Sequence, residues 1–153
     1  MRLTRLATPI LLVLAAACGG SNSTGPSGNN LPNGTFLAKV DGSNFNAISA
    51  TVLTAGQITS IGAANTAGHS MGFAWVEAGT GTFSISATSP NNALYTVGGA
   101  GWTAGPGGGS GSVTVTTRTA TRIAGTFSFV LAASTGGATG TRTITNGSFD
   151  LTL

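Results

Sequence analysis

Apolar and polar residues alternate with a period of two along most of the chain after Thr35. Gly, Thr and Ser fill the intervening positions, where a helix would carry Leu, Glu, Lys and Arg. The pattern predicts an all-β domain. Phe36, Ala38 and Val40 alternate up to an Asp41-Gly42 turn, and Ile48, Ala50 and Val52 alternate up to Ala55-Gly56, which predicts an opening hairpin. Short runs at 58–65, 70–77, 82–87 and 94–97 follow, each bounded by Gly, Pro or Asn. Val113 and Val115 alternate with threonines, Phe127, Phe129 and Leu131 share a face, and Phe149, Leu151 and Leu153 close the chain. Strands of this length and spacing predict a single antiparallel β-sandwich or open barrel whose last strands supply much of the core.

Two segments qualify the pattern. Ile144 is even-numbered whereas Phe149, Leu151 and Leu153 are odd, so a regular strand would aim them at opposite faces. A bulge at Asn146-Gly147, with Gly147 at positive φ, restores the inward phase and is favoured. A tight hairpin turn at the same dipeptide is the competing arrangement. The glycine-rich stretch 98–111, with Trp102 and Pro106, holds too little apolar content to form structure of its own and is expected to be a mobile loop.

Ahead of the domain, Arg2 and Arg5 precede an apolar stretch at 10–17. The run Val13-Leu14-Ala15-Ala16-Ala17-Cys18-Gly19 then sets the chain's only cysteine directly after small residues. The apolar stretch is too short to span a bilayer. This arrangement resembles the lipobox of bacterial lipoproteins. The resemblance implies cleavage between Ala17 and Cys18, a diacylglyceryl group on the Cys18 thiol and acylation of the new amino terminus. Ala15 stands where that pattern prefers leucine. An ordinary secretory signal, or a short membrane helix, is the competing reading. One acyl chain gives only marginal binding, at about 0.8 kcal/mol per buried methylene, whereas two or three hold stably. Gly19 stands where inner-membrane lipoproteins often carry aspartate, so the resemblance implies the outer membrane of a bacterial cell envelope, on either face of it. Residues 19–30 carry no apolar side chain and read as a flexible tether with a reach of roughly 20 Å. The expected organisation is a signal peptide at 1–17, lipidated Cys18 and tether at 18–34, and the β domain at 35–153, its start lying at Leu31 or Thr35.

Charged residues make up only 6% of the 153, but 41% are hydrophobic, which argues against disorder for the domain. Beyond residue 17, Lys39, Arg118, Arg122 and Arg142 face Asp41, Glu77 and Asp150, a net charge of +1. No clustered basic face exists to neutralise phosphates, so no nucleic-acid partner is expected. With Cys18 at the anchor, the mature chain has no thiol for a disulfide, a thiolate metal site or a nucleophile.

Catalytic constellations are equally sparse. A hydrolytic triad needs a base and an orienting acid, and the chain has one histidine, His69, and three scattered acids. Paired carboxylates for glycoside hydrolysis are not in prospect. His69 and Met71 do not complete a copper sphere, Asp41, Asn44 and Asn46 miss the calcium-loop spacing and read as a turn, and 105–111 lacks the Lys-Ser/Thr of a phosphate cradle. No catalytic residue, metal or cofactor is expected. Aromatic side chains that could stack on sugar rings remain: Trp75, Tyr95 and Trp102. Trp75 alternates with Phe73 and is favoured as core, Tyr95 is ambiguous, and Trp102, in the glycine loop, is the aromatic expected to be exposed.

The segments Phe36-Leu37-Ala38-Lys39-Val40-Asp41-Gly42, Phe45-Asn46-Ala47, Ile123-Ala124-Gly125-Thr126-Phe127-Ser128-Phe129 and Ile144-Thr145-Asn146-Gly147-Ser148-Phe149-Asp150 together resemble a family of small bacterial lipoprotein domains of unknown function. The resemblance implies export and β architecture, and carries no activity. The expectation is therefore a non-catalytic, lipid-anchored envelope protein, with a structural or protein-interaction role. The alternative is a carbohydrate or small-ligand binding module using exposed aromatics. Its partners would be the membrane, through the lipid, and an envelope protein or polysaccharide.

Overall fold

The computed structural model describes residues 31–153. The expected signal peptide, Ala17, Cys18 and the tether up to residue 30 lie outside the described residues. Ten strands follow one another: β1 (Gly34–Val40), β2 (Ser43–Ala55), β3 (Ile58–Asn65), β4 (Ser70–Val76), β5 (Gly81–Ile85), β6 (Asn92–Val97), β7 (Ala100–Ala104), β8 (Ser110–Arg118), β9 (Arg122–Thr135) and β10 (Thr141–Thr152). All pairings are antiparallel, in the order β10-β1-β2-β3-β4-β6-β7-β9-β8-β5, and β10 also pairs with β9. That last pairing closes an eight-stranded barrel. Because β10 is paired along both edges, the terminal strand presents no free ladder.

β7 and β8 lie in tandem along one edge of β9, β7 opposite Ala132 to Thr135 and β8 opposite Ile123 to Val130. β6 pairs with β7 and β5 with β8, so these two also occupy one position in tandem. The barrel is thus an up-and-down meander with two neighbouring positions each filled by two short strands. The break between β7 and β8 is the glycine turn 105–109. A Cβ on Gly109 would lie 2.5 Å from the Val130 carbonyl oxygen and 2.6 Å from that of Thr103, so only glycine lets the three backbones meet. The expectation of a mobile loop over 98–111 is corrected here: the segment is a two-glycine turn, strand β7, this tight turn and the start of β8. Gly98 and Gly99 make a turn at positive φ, Gly105, Gly109 and Gly111 serve close backbone approach, and Trp102 supplies apolar content.

β4 and β5 part below the end of β6, and Asn91 spans the slit. Its Oδ1 accepts from the Val76 amide at 2.9 Å and its Nδ2 donates to the Ser84 carbonyl at 2.8 Å, replacing rungs of the missing ladder.

The barrel interior is filled by side chains, as suits eight strands. Phe73 is the hub: Phe127 lies 4.8 Å from it between ring centroids, Phe129 5.5 Å, Phe149 5.9 Å and Phe36 6.1 Å. Leu31, in the segment expected as tether, is buried and pairs with Gly34.

Bulges in β10 and β2 set the inward phase of those two strands. In β10 the register shifts between Ile144 and Gly147, so Ile144, Phe149 and Leu151 are all buried, the bulge rather than a hairpin. The positive φ falls on Asn146 (51°) and not, as expected, on Gly147. Gly147 is required for space, since a Cβ there would lie 2.5 Å from the Phe127 ring and carbonyl oxygen. In β2 the register shifts at Ile48, which is 48% exposed. The expected inward face Ile48, Ala50, Val52 therefore holds only from Ala50; before the bulge Phe45 and Ala47 point inward.

Candidate functional site

In an up-and-down meander alternate turns share an end. The β1–β2, β3–β4, β6–β7 and β9–β10 turns gather at one mouth of the barrel, and a cleft of about 390 Å³ opens among them. Phe45 and Tyr95 form its inner wall, and Asp41, Ser43, Asn44, Asn65, His69 and Arg142 contribute its polar side chains. At the opposite end Arg118 donates to the buried Thr59 hydroxyl at 2.8 Å, bringing β8 onto β3.

Each polar group is held by its own turn. Asp41 adopts φ 49° in the β1–β2 turn, and its amide donates to the Thr143 carbonyl. Its Oδ1 accepts from the Thr143 amide at 2.8 Å and its Oδ2 from Arg142 Nη1 at 2.8 Å. The Thr143 N–H bond, then the Arg142 bond, hold the Asp41 carboxyl below its ordinary pKa, outweighing slight burial. Asn65 Oδ1 accepts from the Ala67 and His69 amides, both at 3.0 Å, and so fixes the β3–β4 turn that presents His69. The His69 Nδ1 and the Tyr95 hydroxyl share a hydrogen bond of 3.0 Å. Burial raises the Tyr95 pKa above its ordinary value, so the phenol stays protonated at neutral pH.

Arg142 lies with its guanidinium 4.5 Å from the Trp102 ring centroid, a cation–π contact. Trp102 is itself pinned by donation from Nε1 to the Thr139 carbonyl at 3.1 Å. The Arg142 Nε is buried with no acceptor among the described residues.

Of the three aromatics read as ligand candidates, Trp75 is fully buried between Phe73 and Phe83. Trp102 is 4% exposed, which corrects the expectation of an exposed stacking platform: β7 carries it inward and Arg142 covers it. Tyr95 is also mostly buried, but it lines the cleft beside its hydroxyl partner. Met71 is buried in the core. From the sequence His69 is a candidate only for a catalytic base or copper ligand, neither of them completed, and Arg142 is not among the candidates. The signal that finds them is topological: residues flanking alternate turns of a closed meander must converge.

A second depression, of about 340 Å³, lies on the outer face of β2, β3, β4 and β6. Gly62 and Gly72 pair to form its floor, between Leu53 (70% exposed) and Leu94, and no charged side chain lines it.

No curated protein and no solved structure matches the chain. A family described as a domain of unknown function, DUF6252, matches residues 32–150, which takes in β1 to β9 and nearly all of β10. That span includes every residue of the mouth, and the chain belongs to the DUF6252 family.

Proposed function

We propose that this protein is a lipid-anchored component of the bacterial envelope that binds a small polar ligand, without catalysis, at the mouth of its barrel. The observation that carries this reading is the convergence of the only histidine, the only tyrosine and Arg142 on one cleft, from separate turns of a barrel with a filled interior. The absence of a catalytic role rests on the same geometry. His69 is engaged by a phenol rather than by a nucleophile, and the cleft's carboxylate, Asp41, is paired with Arg142 and the Thr143 amide rather than with His69. Attachment rests on the lipobox-like run ending at Cys18, which would set the domain on a membrane, the outer one given Gly19. A thermal-melt screen of small polar molecules, repeated on His69→Ala and Arg142→Ala, tests the reading. A ligand at a hundredfold its Kd adds about 2.7 kcal/mol to stability. A saturable shift lost in both variants is expected; a flat screen on a cooperatively melting protein overturns it.

The outer face supports a second reading, a protein-interaction module. The uncharged Gly62–Gly72 trough between exposed Leu53 and Leu94 is the surface on which such a partner would sit. Leu53→Ser would then reduce capture of an envelope protein while leaving the mouth untouched.

A further inference from the structure

We infer that the ligand held at the mouth is a small organic carboxylate, received by Arg142 together with the His69–Tyr95 pair. The inference rests on the binding reading above and follows from which hydrogen-bonding groups of the cleft are already committed. The cleft's one carboxylate is already engaged within the protein, each of its oxygens holding one bond, while Ser43 and Asn44, which also line the cleft, can give as well as accept. Asp41 spends one oxygen on the Thr143 amide and the other on Arg142. Asn65 spends both lone pairs of Oδ1 on the amides of Ala67 and His69, leaving its Nδ2 as a donor.

The donors are not consumed. Of the five N–H groups of Arg142, Asp41 takes one and the Nε–H is buried, which leaves three on the two terminal nitrogens. The His69–Tyr95 pair offers an outward donor in either arrangement of its protons. If the phenol donates to Nδ1, the neutral imidazole carries its proton on Nε2; if Nδ1–H donates to the phenol oxygen, the phenolic O–H is left to give. A guanidinium with uncommitted N–H groups beside the outward donor of the His69–Tyr95 pair selects an acceptor-rich ligand. Arg142 is its one cation and Asp41 already offsets that charge, so a monoanion fits better than a doubly charged phosphate. Trp102 acts as a positioning residue, its ring centroid 4.5 Å from the Arg142 guanidinium carbon.

The test is a titration of the protein with galacturonate, galactose, acetate and inorganic phosphate, read by melting temperature and by tryptophan fluorescence, since Arg142 covers the Trp102 ring. Galacturonate and galactose differ only in carboxylate against hydroxymethyl. Galacturonate and acetate are expected to give saturable shifts that galactose does not. Arg142→Gln should weaken galacturonate more than tenfold and Tyr95→Phe severalfold. Asp41→Asn should tighten it severalfold, by removing the competing anion, an effect a merely structural Asp41 would not produce. Galactose binding as well as galacturonate, with Arg142→Gln indifferent, overturns the carboxylate inference and leaves the mouth as a neutral-ligand site. Phosphate as the sole effective probe overturns it in favour of a phosphoryl group. No shift with any of the four overturns it outright, whereas the mouth itself fails as a ligand site only if the wider screen of neutral molecules is also flat.

Discussion

Asn91 is the side chain on which the continuity of the barrel wall depends, and its replacement by alanine has a calculable effect. Where β4 and β5 separate, its amide group accepts from the Val76 N–H and donates to the Ser84 carbonyl, and the residue is 7% exposed. Truncation leaves the Val76 N–H, which is half-buried, without an acceptor, at about 1–3 kcal/mol. Ser84 is exposed, so water can serve its carbonyl and the added cost there is about 0–1 kcal/mol. The sum, about 1–4 kcal/mol, is a large share of the roughly 6–18 kcal/mol available to a domain of this size. The 123 described residues imply an unfolding entropy of about 0.26 kcal/mol/K, so the Tm should fall by roughly 4–15 °C. Circular-dichroism melts give the magnitude. Amide exchange gives the location: Val76 and the β5 amides should lose protection while β9 and β10 keep theirs. A loss below about 0.5 kcal/mol, or exchange accelerated evenly around the barrel, would show that the slit is closed by something other than Asn91.

Further outcomes follow from other sites. Trp102→Ala removes a buried indole and should cost about 3–5 kcal/mol in urea unfolding, so loss of binding in this variant is interpretable only beside Arg142→Gln; a cost under 1 kcal/mol would contradict its burial. Gly147→Ala should destabilise by about 1–3 kcal/mol through contact with Phe127, whereas Asn146→Gly, already at a φ glycine favours, should stay within about 0.5 kcal/mol of the parent; equal effects would refute the bulge geometry. The carboxyls of Asp41 and Asp150 are held below their ordinary 3.8, by the Thr143 amide with Arg142 and by Arg122 respectively. Folding thus gains stability that is complete above that value and is lost as pH falls through the lowered ones, and Asp41→Asn should flatten the acid limb of a Tm–pH curve. Intact-mass analysis of membrane-extracted protein should find acyl chains on Cys18 and no residues 1–17; an unmodified thiol would sink the anchor.

Much of the wall was legible in the chain. Period-two alternation and turn dipeptides place strands because a strand's faces and ends are local properties, and β3 coincides with the run read at 58–65. The bulge in β10 was legible too, since a phase conflict between Ile144 and Phe149 is visible in the numbering. Ile48 misled because it is itself apolar: the parity changes between Phe45 and Ala50, but an apolar residue at the bulge reads as part of the inward face. The stretch 98–111 misled for a different reason: its glycines read as freedom, while their function is to admit the backbones of β6 and β9, which are distant in sequence.

The sequence alone determined most of the strands, most of their inward residues, and an N-terminal run that resembles an anchor, because each depends on neighbours within a few positions. Only the tertiary structure decided that the sheet closes, that Trp102 is covered, and that His69, Tyr95, Asp41 and Arg142 meet. Closure is a pairing between β10 and the two strands beside it, β1 lying more than 100 residues earlier in the chain. The Asp41–Arg142 bond exists because that closure sets the first and last hairpins side by side.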